Sequence, residues 1–181
     1  MEKNKKTLAE LAAGEIFKIG DMEFMKICDE NGGTAAVTKN ILFRSAFGEN
    51  NNFAKSKVLK RLEKEILPKI EAEAGADNVQ EFETDLISLD GSTKWGKMKS
   101  KISLVTFDFY RKHVKIFDTC KPDAWWWSAT ADTTSEHLCD DWCICVSPRG
   151  NIYVGNCYYD YGSGGGGVRP FCIFNSNIFV S

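Results

Sequence analysis

The run Trp125-Trp126-Trp127 limits how this chain can fold more than any other feature. Side chains alternate across a strand, so three adjacent indoles cannot share a face. Trp125 and Trp127 are expected on one side and Trp126 on the other, with at least one ring in the core. Each buried indole N–H then needs an acceptor. The character of the chain also changes here. From Trp125 onward aromatics, cysteines and glycines dominate and charge thins out.

A chain of 181 residues suits one domain that buries about 70% of its unfolded surface better than two small ones. Its composition, 43% hydrophobic and 27% charged, is that of a globular protein. A net charge of -2 gives no phosphate-neutralising surface, so nucleic acid is not an expected partner. No stretch approaches the ~18 to 20 apolar residues of a bilayer span, and membrane insertion is not expected. The start of the chain is basic, but Leu8 to Gly14 is too short and too polar for a secretory core. The expected location is a cytoplasm, or a particle assembled in one. Seven cysteines, an odd number, fit reduced thiols better than a secreted disulfide framework.

Along the chain, Glu15–Ile19 and Glu23–Cys28 flank a Gly20-Asp21 turn and read as a hairpin. Thr34–Thr38 and Ile41–Phe43 read as short strands. Ser56 is placed to cap a helix carrying Val58, Leu59, Leu62 and Ile66 on one face, with Pro68 at a kink or a second helical start and the end at Gly75. Glu81–Leu89 looks extended at its end, and Asp90-Gly91 is a turn. Thr106 is placed to cap a short helix over Phe107–Lys112. Trp142–Val146 and Ile152–Val154 flank a Pro148-Arg149-Gly150 turn, and Val168–Phe174 reads as one final strand. The pattern is α+β, with residues 1–11 expected as a tail and 12–181 as the domain.

Three segments carry a resemblance: Trp125–Thr130, Val146–Asn151 and Gly167-Val168-Arg169-Pro170-Phe171. In this order they resemble a domain-of-unknown-function family of anaerobic bacteria and their phages, marked by a tryptophan-rich segment, a Gly-centred hairpin and a terminal Gly-Val-Arg-Pro. Leu86–Gly91 and Ser103–Thr106 look like the same pattern, so the similarity covers roughly residues 12 to 174. That family is similar to the C-type-lectin-like fold of formylglycine-generating enzymes and of variable proteins made by diversity-generating retroelements. The resemblance implies short antiparallel strands, one or two helices and long C-terminal loops over 125–174. Ser128-Ala129 stands where the family often has Leu-Arg, so no role for that arginine carries over. Trp126, Trp127, Gly167, Arg169 and Pro170 are expected to belong to the framework, Arg169 as a clamp on buried carbonyls or a carboxylate.

Of the sixteen residues from Asn151 to Gly166, fourteen are Asn, Tyr, Gly, Cys, Asp or Ser. The two exceptions, Ile152 and Val154, alternate as the buried positions of a strand would. All six residue types arise by substituting the first two bases of an asparagine codon, the trace that adenine-directed mutagenesis leaves. Antibody loops use a similar palette, because tyrosine gives large amphipathic contacts at low entropic cost. Tyr153, Asn156, Tyr158, Tyr159, Asp160, Tyr161 and Ser163 are therefore expected on one exposed binding surface, joined, with less support, by Trp142 and Asp132. The ligand expected is a macromolecule, protein or glycan, and the chain can act as an oligomer. A turn-rich loop that was never diversified stays open as the plainer alternative.

No catalytic residue is assigned. His113 and His137 have no nucleophile motif beside them. Gly162–Gly167 lacks the Lys-Ser/Thr ending of a phosphate loop. Cys139-x3-Cys143-x-Cys145 departs from structural zinc spacing, and Asp140-Asp141 reads as a solvated dipeptide before it reads as a calcium site. Neither a metal nor a cofactor is expected. The enzymatic alternative is a copper-dependent thiol oxidase of the formylglycine-generating kind, with two cysteines holding copper(I).

Overall fold

The computed structural model describes residues 6–30, 32–159 and 165–180. Among the described residues, fourteen strands, one long helical run and several short helices make up a mixed α+β fold in which sheet predominates. The first large sheet is built from β2 (Ile16–Ile19), β3 (Met22–Glu30), β4 (Gly33–Thr38), β6 (Val79–Gln80) and β13 (Phe171–Asn175). They lie in the order β2-β3-β4-β13-β6, all antiparallel. The second holds β5 (Phe43–Ser45), β9 (Trp126–Ala131), β10 (Trp142–Val146), β11 (Ile152–Asn156) and β12 (Gly166–Val168), in the order β11-β10-β9-β12-β5. Two small ribbons complete the fold: β1 (Lys6–Thr7) with β14 (Phe179–Val180), and β7 (Phe82–Asp85) with β8 (Lys97–Ser100).

The long helix begins where the Ser56 hydroxyl accepts the Leu59 amide at 2.9 Å, meeting one of the donors a helix start leaves open. It runs through α1 (Lys57–Arg61), a π-helical turn (Leu62–Ile66) and α2 (Leu67–Ala74). Pro68 has no N–H to return to the preceding turn. The backbone widens just before it, with the Leu67 amide reaching back to the Leu62 carbonyl. Val58, Leu59, Leu62, Ile66 and Ile70 are buried along one stripe, and Gly75 closes the helix at φ 86°, a conformation that suits glycine. Two short helices, α3 (Phe107–Lys112) and α4 (Val114–Phe117), follow the Thr106 cap, whose hydroxyl accepts the Phe109 amide at 3.2 Å.

Three expectations are corrected. Within the stretch expected as a tail, Lys6–Thr7 form β1, which pairs with β14, and Leu8 is fully buried in the core. The strand expected at Ile41–Phe43 lies at Phe43–Ser45, two residues further on. Val168–Phe174 is not one strand, because β12 and β13 belong to different sheets. Pro170 cannot donate to a ladder, and the chain leaves the second sheet and enters the first at Arg169-Pro170. The β8 strand carried no sequence signal beyond its exposed Lys97 and Lys99. Among the described residues no helix is long and apolar enough to cross a membrane.

Trp126 and Trp127 are both buried and point into different clusters. Trp127 packs edge-on against Phe47 at 5.5 Å, within the cluster that includes Phe17, Phe24, Phe53 and Phe174. Trp126 stacks near Phe117 at 6.0 Å and meets Tyr110 at 5.8 Å. The second sheet therefore has apolar matter on both sides of its central strand, as three adjacent tryptophans require.

Candidate functional site

The second sheet ends in β11, an edge strand, and the exposed apolar surface gathers around it. Of the eleven large hydrophobics exposed among the described residues, seven lie between 138 and 159: Leu138, Trp142, Ile152, Tyr153, Val154, Tyr158 and Tyr159. An apolar cluster of this kind on a surface marks a contact site more often than scattered single residues do.

Ile152 and Val154 were expected to be buried; they are 39% and 41% exposed. The reason is position. Among the described residues β11 pairs with β10 alone, so no outer neighbour covers it there, and neither of its faces is fully packed.

Register separates the candidate residues into two groups. Tyr153 lies opposite Cys145 and Gly155 opposite Cys143, on the face shared with Trp127. There Trp125, half-buried, touches Trp127 edge-on at 4.8 Å, Tyr153 at 6.0 Å and Tyr159 at 6.2 Å. Trp142 lies opposite Asn156 and Ile144 opposite Val154, so these occupy the other face. The candidates thus do not form one flat patch. They wrap the edge, with an aromatic trio of Trp125, Tyr153 and Tyr159 on one side and Trp142 with Asn156 on the other. Tyr158, 54% exposed, stands in the turn after β11, where the Asn156 side chain accepts its amide at 2.9 Å. Partial burial and the nearby Asp141 carboxylate raise the Tyr158 hydroxyl pKa. Burial, then Cys145, does the same for Tyr153. Both phenols are neutral hydrogen-bonding groups at physiological pH. Asp160, Tyr161 and Ser163 lie outside the described residues.

The frame behind the face is tightly bonded. The Trp127 indole donates to the Ser45 carbonyl at 2.9 Å. A Cβ on Gly167 would sit 2.4 Å from Ile41 and 2.7 Å from the Trp125 carbonyl, so only glycine lets β12 approach β9 there. Arg169 is fully buried, donating to the carbonyls of Thr38 at 2.9 Å and Lys39 at 3.2 Å while its guanidinium lies 5.1 Å from the Trp126 ring. Burial pulls its pKa down to about 10, which leaves it charged. The carbonyl of Pro170 in turn accepts the Thr38 amide at 2.9 Å.

Two anchors of the neighbouring loops were not singled out from the sequence. Buried Asn51 donates to the carbonyls of Thr133 and Trp142 at 2.8 and 2.9 Å and accepts the Trp95 indole at 3.0 Å, while its amide reaches the Asp140 carbonyl. Asp90 accepts from Ser88, from Thr133 and His137 at 2.6 Å each, and from the Ser92 amide. Partial burial pushes its carboxyl up, but these hydrogen bonds outweigh that and hold it well below its ordinary value. Together the two side chains pin the segment leading into Trp142. Nothing in a single asparagine or an Asp-Gly turn signals such a hub, because its partners are distant in sequence.

The cysteines of the second sheet are packing groups. Cys143 and Cys145 share the Trp127 face and are fully buried, and burial raises both thiols far above the thiolate range. Cys157 is pushed up to about 12, chiefly by burial. Among the described residues no three His, Cys, Asp or Glu side chains converge on a metal-sized site, and no disulfide forms. No family model, curated protein or solved structure matches the chain.

Proposed function

We propose that this chain is a recognition domain of C-type-lectin-like architecture, not an enzyme, and that it binds a protein or glycan through the edge of its second sheet and the loops that follow. The observation that carries the reading is the aromatic rim in which half-buried Trp125 meets exposed Tyr153 and Tyr159, with Trp142 exposed on the other face and Tyr158 in the turn that follows. It is mounted on a frame whose side chains are buried and hydrogen-bonded. Amphipathic rings held by a rigid support lose little entropy on binding. Short strands, antiparallel except where β12 runs parallel to β9, with a helix early in the chain and long loops in its last third, also support the lectin-like reading. A phage particle or a bacterial cytoplasm would suit such a binder.

The residue palette of 151–166 supports a second layer to the proposal: the face is the variable surface of a diversity-generating retroelement. An oxidase of the formylglycine-generating kind is less well supported, since Cys143 and Cys145 lie fully buried with their thiols held protonated. The test is a glycan and protein array probed with the wild type and with Tyr153→Ala/Tyr159→Ala. The proposal expects ligands that the wild type retains and the double variant loses, with the unfolding midpoint little changed. Ligands bound equally by both would contradict it.

A further inference from the structure

On the side of the first sheet lies a cleft of about 800 Å³ that the recognition face does not use. Its floor is apolar: Phe82 and Phe109 each meet Phe171 edge-on, at 5.3 and 5.0 Å, and Phe107 adds a third wall. Its rim is acidic, with five carboxylates (Glu30, Glu81, Glu83, Asp85 and Asp108) against two cations, Lys99 and Arg111. Glu83 is paired with Lys97, and Asp108 with Arg111. Glu30, Glu81 and Asp85 form no ion pair among the described residues.

One wall is a strand seen from its edge. Glu81, Phe82, Glu83, Thr84 and Asp85 all border the cleft. Successive strand residues point to opposite faces, so the bordering of one space by all four β7 residues, with Glu81 just before them, turns the edge of β7 towards it. That edge is open: β7 pairs with β8 alone among the described residues. An unpaired edge offers its N–H and C=O groups to an added strand.

We propose that this cleft binds an extended peptide segment bearing lysine or arginine, added as a further strand on the open edge of β7. Alternate side chains of the peptide lie on the phenylalanine floor, and the others set their cations against Glu30, Glu81 and Asp85. The strand edge favours a peptide over a simple polyamine, because a polyamine has no backbone to pair. The phenylalanine floor favours one in which apolar residues alternate with the basic ones.

The test is fluorescence anisotropy of the full chain with a short labelled peptide alternating valine and lysine, its valine–glutamate counterpart, and spermine as competitor. Hydrogen exchange of the amides of residues 82–85 is followed in parallel. The expected result is binding of the lysine peptide, weakened by about tenfold in Glu30→Gln/Glu81→Gln/Asp85→Asn and by added salt. Slowed exchange in β7 should accompany the binding. The substituted side chains are wholly or partly exposed and form no ion pair among the described residues, and asparagine at 85 keeps an oxygen for the Ile87 amide that Asp85 accepts, so the variant is expected to fold; circular dichroism and the unfolding midpoint check this, and Glu81→Gln alone serves as the milder variant. Four results would overturn the proposal: no binding of the lysine peptide, equal binding of both peptides, a spermine affinity matching that of the lysine peptide, or binding without protection of β7. Tyr153→Ala/Tyr159→Ala leaves the peptide affinity unchanged, which separates this site from the recognition face.

Discussion

Arg169 shows how one residue joins the two sheets. It sits where the chain passes from β12 to β13, and its donors end on the carbonyls of Thr38, the last residue of β4, and of Lys39 just after it. A planar fork stacked near an indole does this better than an ammonium could. Asp90 plays a comparable part at the turn beneath the recognition loops, and its chemistry makes a pH prediction. The carboxyl is held below its ordinary value of 3.8 by hydrogen bonds from Ser88, Thr133, His137 and the Ser92 amide, against the opposing effect of burial. A depressed folded value means that this group stabilises the fold above the ordinary carboxylate range and that the contribution fades as pH falls through it. Asp90→Asn should therefore lower the urea midpoint at neutral pH, and the gap from wild type should narrow in strongly acid solution. A gap independent of pH would show that the charged hydrogen bonds are not what Asp90 contributes.

Among the elements, the pairing of β1 with β14 ties the two ends of the described chain together, and Leu8 drives the contact by burying its whole side chain. The Lys26 ammonium, itself buried, donates to the Leu8 carbonyl at 2.8 Å and pairs with Asp29. Leu8→Ala is predicted to cost about 3 kcal/mol in equilibrium unfolding, from lost burial and the cavity left behind. A cost below about 1 kcal/mol, the range of surface changes, would mean that this end contributes little to the core. Leu8 also shows where sequence reading stops. The 3.6-residue stripe of Val58 to Ile66 and the caps Ser56 and Thr106 were legible because their signals are local. So was the split of Trp126 from Trp127, which follows from strand alternation alone. The burial of Leu8 depends on a partner more than a hundred and sixty residues away, and no local pattern reports it. The exposure of Ile152 and Val154 was hidden for the same reason. An alternating strand reads alike at the centre of a sheet and at its edge, and only the strand order distinguishes them.

For the molecule as a whole, the tyrosine-rich segment was legible in composition, whereas its wrapping around an edge was not, because that depends on the β10–β11 register. The acidic cleft was invisible in sequence, since β3, β7, α3 and β13 each contribute only a few of its residues. On the function proposed above, the chain is a packed frame carrying a face whose side chains vary. The most direct measurement is deep sequencing of the gene, with its flanking DNA, across many copies from its source. The account predicts substitutions concentrated at the codons of Trp142, Tyr153, Asn156, Tyr158, Tyr159, Asp160, Tyr161 and Ser163, at adenine positions of a nearby template repeat. The codons of Trp126, Trp127, Gly167, Arg169 and Pro170 should stay constant. Substitutions spread evenly over frame and face, or a face as constant as the frame, would contradict it.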